Sequence, residues 1–277
     1  MSLFVCPLCG GTLQKDAHRY VCGQNHVFDV ASEGYVNLLP ANRKHAKQPG
    51  DDRDMVRARN RFLSQGFYAP LRDALAESIA KSAPEETVFL DSGCGEGYYT
   101  AGIAEALAAA GKAPRAAGID LSKSAVRLAA KRLKTGEFAV ASCYHLPFAD
   151  ETADVLLNCF SPLALAEFCR VLKPGGAFYY VVPAPRHLWE MKRVLYDAPY
   201  ENPRVSPEYA GFEREETLLV SRRVLLPAQE TISDLFSMTP YLWKTPREGV
   251  ERLRAQEELE IETSFDIHVY RRRANEK

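Results

Sequence analysis

The apolar positions of this chain change period along its length, and each change marks an element. Between Tyr68 and Lys81 they recur at helical spacing, with Leu71, Leu75 and Ile79 on one face. From residue 87 short apolar or β-branched runs alternate with longer Ala- and Leu-rich segments. Thr87–Asp91, Ala116–Asp120, Glu137–Ala141, Ala153–Asn158 and Ala177–Val182 predict strands, and Tyr99–Ala110, Ser122–Leu133 and Leu163–Val171 predict helices between them. Alternation of this kind predicts an α/β fold with a parallel, doubly wound sheet and ligands at the carboxyl ends of its strands. Residues 217–226 and 264–272 are candidates for further strands.

Upstream the pattern differs. Leu13 to Val21 mixes polar and β-prone residues in the manner of a short hairpin. After Pro49-Gly50, Asp51 or Asp52 can cap a helix that runs to about Ser64. On that helix Arg53, Arg57 and Arg61 share one face, and Met55, Ala58 and Phe62 share another. Arg43, Lys44, Lys47 and Arg59 add to the basic side, against only Asp51, Asp52 and Asp54. The chain therefore divides into residues 1–40, a basic linker with helices at 41–83, and a larger domain at 84–277. A length of 277 residues accommodates one well-buried α/β domain and a smaller unit.

Composition adds little to this division. Hydrophobic residues at 46% and charged residues at 26% describe a soluble globular chain, and a net charge of -1 names no partner. No stretch approaches the roughly 20 apolar residues that cross a bilayer. Met1 to Cys6 also lacks the basic and apolar regions of a signal peptide, so a cytoplasmic protein without a membrane partner is expected. Seven cysteines are an odd count for a disulfide framework.

Three of those cysteines have another use. Cys6-Pro-Leu-Cys9 and Cys22-Gly-Gln-Asn-His26 give a C-x2-C-x12-C-x3-H order that suits one tetrahedral zinc ion, with the intervening hairpin bringing the pairs together. A unit of fewer than about 40 residues scarcely buries enough apolar surface to fold unaided, so a structural metal has a thermodynamic role. His18 lies off the spacing. Cys94, Cys143, Cys159 and Cys169 sit in or beside apolar segments without a recognisable partner base, as buried thiols do.

A second candidate site follows the first predicted strand of the large domain. In Leu90-Asp91-Ser92-Gly93-Cys94-Gly95-Glu96-Gly97, three glycines allow close backbone approach to a ligand. The G-x-G-x-G spacing departs from the nicotinamide fingerprint, and no G-K-S/T follows as a phosphate loop requires. Asp120 ends the next strand, where a carboxylate can accept both hydroxyls of a ribose or cap the helix that starts near Ser122.

Together, Asp91 to Gly97, Asp120, and Arg170-Val171-Leu172-Lys173-Pro174-Gly175-Gly176 before a strand resemble the class I S-adenosylmethionine-dependent methyltransferases. Those enzymes have a Rossmann-like domain with a mostly parallel seven-stranded sheet. The resemblance implies cofactor contacts at Asp91, Gly93, Gly97 and Asp120, and Ala141-Ser142 with Leu146-Pro147-Phe148 resembles the segment beside the adenine.

The whole chain is similar to the bacterial 23S rRNA guanine-N1 methyltransferases. The similarity runs through Cys6, Cys9, Cys22 and His26; Glu33-Gly34-Tyr35-Val36-Asn37-Leu38-Leu39-Pro40; Gly50-Asp51; Ala58-Arg59; and Phe62-Leu63. It continues through Gly66, Tyr68, Pro70, Leu71, the loop to Thr100, Pro185-Arg186-His187-Leu188 and Met238-Thr239-Pro240. It implies a small, β-rich, zinc-binding RNA-recognition domain, S-adenosylmethionine as donor, a hairpin loop of 23S rRNA as substrate, and a homodimer. It also implies cofactor contacts at Tyr68, Gly95, Glu96 and His187.

The donor's sulfonium carries an activated methyl group, so positioning of guanine N1 should dominate the chemistry. Asn158-Cys159-Phe160-Ser161-Pro162 ends a strand where related enzymes present the target base, and Phe160 can stack on it. That segment has no carboxylate, so no general base is named. A small-molecule methyltransferase with a purely structural zinc knuckle is the alternative, and a non-catalytic RNA-binding module is a further one. The basic helix face counts against the first, because a small metabolite has no need of it, and the intact loop against the second.

Overall fold

A computed structural model describes residues 1–40, 50–204 and 208–274, so Arg43, Lys44 and Lys47 of the basic segment lie outside the described residues. The amino-terminal hairpin forms where the mixed pattern predicts it. β1 (Leu13–Lys15) pairs antiparallel with β2 (Arg19–Cys22), and β2 with β3 (Val27–Asp29). Leu13, Tyr20 and Cys22 turn inward while their neighbours stay in or near solvent, as a half-buried sheet requires.

β4 (Val36–Asn37) leaves this small sheet and joins the large one. Two helices follow, α1 (Arg53–Ser64) and α2 (Ala69–Ser82). Asp52 caps α1 by accepting hydrogen bonds from the backbone N–H groups of Asp54 and Met55, each at 2.9 Å. The larger domain then runs β5 (Glu86–Ser92), α3 (Tyr98–Ala109), β6 (Ala113–Asp120), α4 (Lys123–Arg132), β7 (Glu137–Val140) and β8 (Ala153–Cys159). It continues with α5 (Leu165–Val171), β9 (Leu172–Pro183), α6 (Trp189–Leu195), β10 (Phe212–Leu226), α7 (Gln229–Ser237), α8 (Arg247–Arg254) and β11 (Leu259–Arg272).

Among the described residues the large sheet has the order β10-β11-β9-β8-β5-β6-β7-β4. Every pairing from β4 to β9 is parallel, while β11 runs antiparallel to both β9 and β10. Seven strands thus form the expected mostly parallel sheet, and β4 extends it by an eighth. The winding reverses between β5 and β8, so the crevice at their carboxyl ends is the natural ligand site. β5 and β8 are buried almost throughout, because helices cover both faces.

Several boundaries differ from expectation for packing reasons. β9 starts at Leu172 and takes in Lys173-Pro174-Gly175-Gly176, because Leu172 already pairs with Ala153 of β8 before a register shift. β10 and β11 are longer than the apolar pattern suggested. They pair along their whole lengths, and β10 keeps most of its residues exposed or half-exposed.

The amino-terminal segment and the large domain share one apolar cluster. Phe4, Leu13, Tyr20, Cys22, Val36 and Leu38 pack with Ile119, Ala139 and Phe148. Glu137, at the start of β7, clasps the two together. Its Oε2 accepts hydrogen bonds from the Ser2 hydroxyl at 2.6 Å and the Tyr20 hydroxyl at 3.2 Å, and its Oε1 accepts the Leu3 N–H at 3.0 Å. Burial and the Glu137 charge push the Tyr20 hydroxyl well above its ordinary value, so it stays a donor.

Arg53, Arg57 and Arg61 of α1 are all exposed, and two of them are also ion-paired. Arg61 reaches across to α7, where its Nε donates to Asp234 Oδ2 at 2.8 Å and a second guanidinium nitrogen pairs with Oδ1. Arg57 is exposed beside Asp54 at 3.5 Å, and Arg53 is exposed. Arg61 is thus tied to a buried carboxylate 173 residues away while its side chain stays half exposed.

Glu137→Ala leaves three donors without their acceptor and should cost about 1–3 kcal/mol. Chemical denaturation checks this. An unchanged midpoint would mean that apolar packing alone holds the amino-terminal sheet in place.

Candidate active site and metal centre

Cys6, Cys9, Cys22 and His26 converge at the open end of the small sheet, and their ligand atoms all lie within 4.8 Å of one another. Tight turns place each pair. The Gly11 carbonyl accepts from Cys6 N–H and the Cys6 carbonyl from Gly10 N–H, while Asn25, in the left-handed region at φ 61°, closes the second turn onto Cys22. His26 Nδ1 is 3.5 Å from Cys6 Sγ and 3.4 Å from Cys22 Sγ, and Cys9 Sγ is 3.6 Å from Cys22 Sγ.

Zinc bond lengths of about 2.3 Å to sulfur and about 2.0 Å to nitrogen give tetrahedral edges of roughly 3.5–3.8 Å, so the donor set fits a zinc ion. Burial pushes the Cys22 thiol up, but hydrogen bonds from the backbone of His26 and Gln24 and from the Cys9 and His26 side chains outweigh it. The thiol is held at about 6, which suits a thiolate ligand.

The glycine-rich turn lies at the carboxyl end of β5, in the crevice where the winding reverses. Gly93, Gly95 and Gly97 all have positive φ, at 92°, 52° and 77°. A Cβ on Gly93 would meet Ser161 Oγ at 2.2 Å, and one on Gly97 would meet Ala129 at 2.9 Å, so those two permit packing. Gly95 is different: nothing lies within 4 Å of a Cβ there, and its bare edge faces open space. Its N–H donates to Asp120 Oδ2 at 3.1 Å, while Asp120 Oδ1 accepts the Ser122 N–H at 2.7 Å. Ser122 itself caps α4. Asp120 is thus fixed against the loop rather than serving as the helix cap.

Three carboxyl groups crowd this turn. Asp91 accepts the Thr100 hydroxyl at 2.5 Å through Oδ2, and its Oδ1 has no partner. Glu96 is 2% exposed, and its Oε1 is also without a partner, as is the Ser92 hydroxyl. Burial raises all three carboxyls, Asp91 to about 7, with Asp120 and Glu96 adding to the effect at Asp91. Buried polar atoms left unmatched beside an open glycine edge fit a polar, cationic ligand such as S-adenosylmethionine.

Tyr68 and His187 come from distant parts of the chain and meet around Phe265, on which Phe160 at the end of β8 also packs. Tyr68 packs edge-on against Phe62 and Phe265, and its hydroxyl is 3.3 Å from His187 Nε2. His187 Nδ1 accepts the Ser264 N–H at 3.2 Å, and burial together with the Lys192 charge depresses the imidazole to about 3. The ring is therefore neutral with its proton on Nε2, which donates to Tyr68 Oη. The Tyr68 hydroxyl is left free to donate elsewhere, and burial keeps it protonated.

Phe160 follows β8 with φ 55°, sits 47% exposed, and packs on Phe265 at 5.6 Å. Cys94, Cys143 and Cys159 are buried with thiols pushed up by burial, as the apolar surroundings of these residues suggested. Cys169 is half-buried.

One residue of this neighbourhood was given no site role by its sequence. Arg59 turns inward and pairs with Asp51 at 2.5 Å. The signal lay in the helical wheel: Val56, Phe62 and Leu63 surround Arg59 on the buried face of α1.

Fold, loop and metal cluster define a class I S-adenosylmethionine-dependent methyltransferase domain joined to a zinc ribbon. Residues 4–47 match the zinc-ribbon family described as RlmA, N-terminal, and residues 90–180 match the methyltransferase domain family. YxjB of Bacillus subtilis, provisionally assigned as a 23S rRNA (guanine-N(1)-)-methyltransferase, is 35% identical, with 96% of each chain covered. The 23S rRNA (guanine(748)-N(1))-methyltransferase of Streptomyces fradiae is 38% identical over 69% of this chain and 66% of its own. Among solved structures, the geranyl diphosphate C-methyltransferase of Streptomyces coelicolor is 15% identical with a TM-score of 0.44, covering 72% of this chain and 76% of its own. The chain belongs to the 23S rRNA (guanine-N1)-methyltransferase family.

The Asp91 carboxyl gives a pH test. Its folded value of about 7 lies above the ordinary 3.8, so the folded protein binds the extra proton. Stability from this group is full below about pH 4 and is lost as the pH rises through 7. Asp91→Asn should make the cofactor-free protein more stable than the parent at pH 8, by about 1–4 kcal/mol, with the gap closing toward pH 5. Thermal melts at both pH values check this; an equal gap at the two would contradict it.

Proposed function

We propose that this protein transfers a methyl group from S-adenosylmethionine to N1 of a guanine in a hairpin loop of 23S rRNA. The observation that carries the reading is the clasping of a zinc ribbon onto the sheet that bears the donor crevice, in a chain 35% identical over nearly its whole length to a relative assigned that activity. One zinc ion held by Cys6, Cys9, Cys22 and His26 has a structural role here, because no position of that tight, four-donor set is left for substrate. The family resemblance supports a homodimer acting in the cytoplasm. Among the described residues no helix is long and apolar enough to cross a membrane.

The chain's own groups divide the work. Asp120 faces the crevice at the end of β6 and would take the ribose hydroxyls, with Gly93, Gly95 and Gly97 letting the backbone approach and Asp91 and Glu96 facing the positive end of the donor. Tyr68, oriented by His187, would donate its free proton to the donor's carboxylate. The bound donor supplies a methyl group already activated by the sulfonium charge. What remains is alignment of guanine N1, for which Phe160 offers an exposed ring at the crevice mouth.

The N1 proton must also leave. His187 is a poor acceptor because burial and the Lys192 charge hold its basicity low and its lone-pair nitrogen, Nδ1, already receives the Ser264 N–H, and burial keeps Cys159 protonated. Water at the open mouth is the acceptor that remains. A target base has to be unpaired to reach this depth, which agrees with a loop substrate.

Incubation with unmodified 23S rRNA and methyl-labelled donor should place the label in 1-methylguanosine, read by mass spectrometry of the digested RNA. Label appearing only in small molecules would support the metabolite enzyme instead. Phe160→Ala should lower kcat/KM for RNA by about 10- to 100-fold, as expected for a lost base stack of 1–3 kcal/mol, and leave donor affinity within about twofold. Unaltered RNA kinetics would remove Phe160 from the substrate site.

A further inference from the structure

Arg59 sits apart from the other basic residues of α1. Its side chain is mostly enclosed and its guanidinium lies 2.5 Å from Asp51. The segment that begins α1 is pressed onto the end of β6. Gly50 has φ 78°, and a Cβ there would meet the Ser122 nitrogen at 2.7 Å, so only glycine lets the backbone pass. The Asp51 carbonyl accepts the Ser122 hydroxyl at 2.8 Å. Ser122 in turn fixes Asp120 Oδ1, and Asp120 Oδ2 holds Gly95. A continuous set of contacts therefore runs from Arg59 through Asp51, Ser122 and Asp120 to the open glycine of the loop.

The charge balance calls for such a cation. Asp91, Glu96 and Asp120 are withdrawn from water around one turn, and a buried carboxylate is costly unless a positive charge or donors compensate it. Two arginines oppose the burial of Glu96, Arg59 and then Arg132. Arg132 is already engaged by the Asn60 side chain at 2.7 Å and by the Tyr98 ring. The Glu96 and Asp120 charges act on Arg59 as Asp51 does, and a guanidinium keeps its charge even when enclosed.

We propose that Arg59 is a positioning residue of the methyl-donor pocket. Locked to Asp51, it seats Gly50 to Asp52 over the end of β6, where Ser122 and Asp120 hold the open glycine loop, and so sets the affinity for S-adenosylmethionine. This rests on the reading of the crevice as the donor site and is independent of the RNA substrate. It makes α1, which shows Arg53 and Arg57 to solvent, part of the pocket wall.

The test uses the zinc-loaded full chain titrated with S-adenosylmethionine in a calorimeter, together with steady-state kinetics on rRNA. Arg59→Ala should weaken donor binding at least tenfold and raise the donor KM in step, with kcat at saturating donor within about threefold of the parent. Arg59→Lys should recover a substantial part of that loss, which a mere packing defect would not predict. If Arg59→Ala fails to fold, Asp51→Asn keeps the shape of its partner and should weaken binding at least threefold. Parent-like affinity in Arg59→Ala, or in Asp51→Asn where that variant replaces it, overturns the proposal while the donor-site reading stands. A parent protein that binds no S-adenosylmethionine overturns both.

Discussion

Three carboxyl groups enclosed around one glycine-rich turn impose the constraint that the rest of this structure answers. Asp91, Glu96 and Asp120 cannot all stay ionised in a dry crevice without help, and burial raises each of them. The chain answers partly with hydrogen bonds from Thr100, Gly95 and Ser122, and partly with the inward guanidinium of Arg59. A donor bearing a sulfonium and an amino group would complete the balance. The burial of these carboxyls is thus tied to donor affinity, a trade that functional crevices commonly make.

The other end of the molecule solves a different problem by similar means. Forty residues with a few short strands bury too little to stand alone, so the four metal ligands and the Glu137 clasp supply what the apolar contacts lack. β4 then pairs with β7, and the zinc ribbon becomes an extension of the catalytic sheet. A substrate that touches the ribbon is held at a fixed distance from the crevice, which matters in chemistry governed by alignment.

Much of this was legible in the sequence because it rests on local spacing. The C-x2-C and C-x3-H pairs fix which side chains meet, and the βα alternation fixes the crevice that follows β5. What stayed hidden depends on contacts between distant segments. The ion pair of Arg61 with Asp234, 173 residues on, leaves no trace in the spacing of the basic stripe. Tyr68 and His187 are 119 residues apart, and only the family resemblance brought them forward together. The pairing of β4 with β7 involves two residues, too few to leave a periodic trace. Arg59 was half legible, since a charge among Val56, Phe62 and Leu63 on a helix face demands a partner, but the partner's identity required the fold.

Under the proposed function, zinc organises the part of the chain assigned to RNA recognition, while the donor crevice works through its own residues. Methyl transfer to 23S rRNA and affinity for S-adenosylmethionine, measured side by side on zinc-loaded and chelator-stripped protein, test this most directly. Stripping zinc should abolish transfer and change donor affinity by less than about threefold, because the ribbon joins the sheet at its edge rather than at β5 and β8. Transfer that survives the loss of zinc, or donor affinity that disappears with it, would contradict the account.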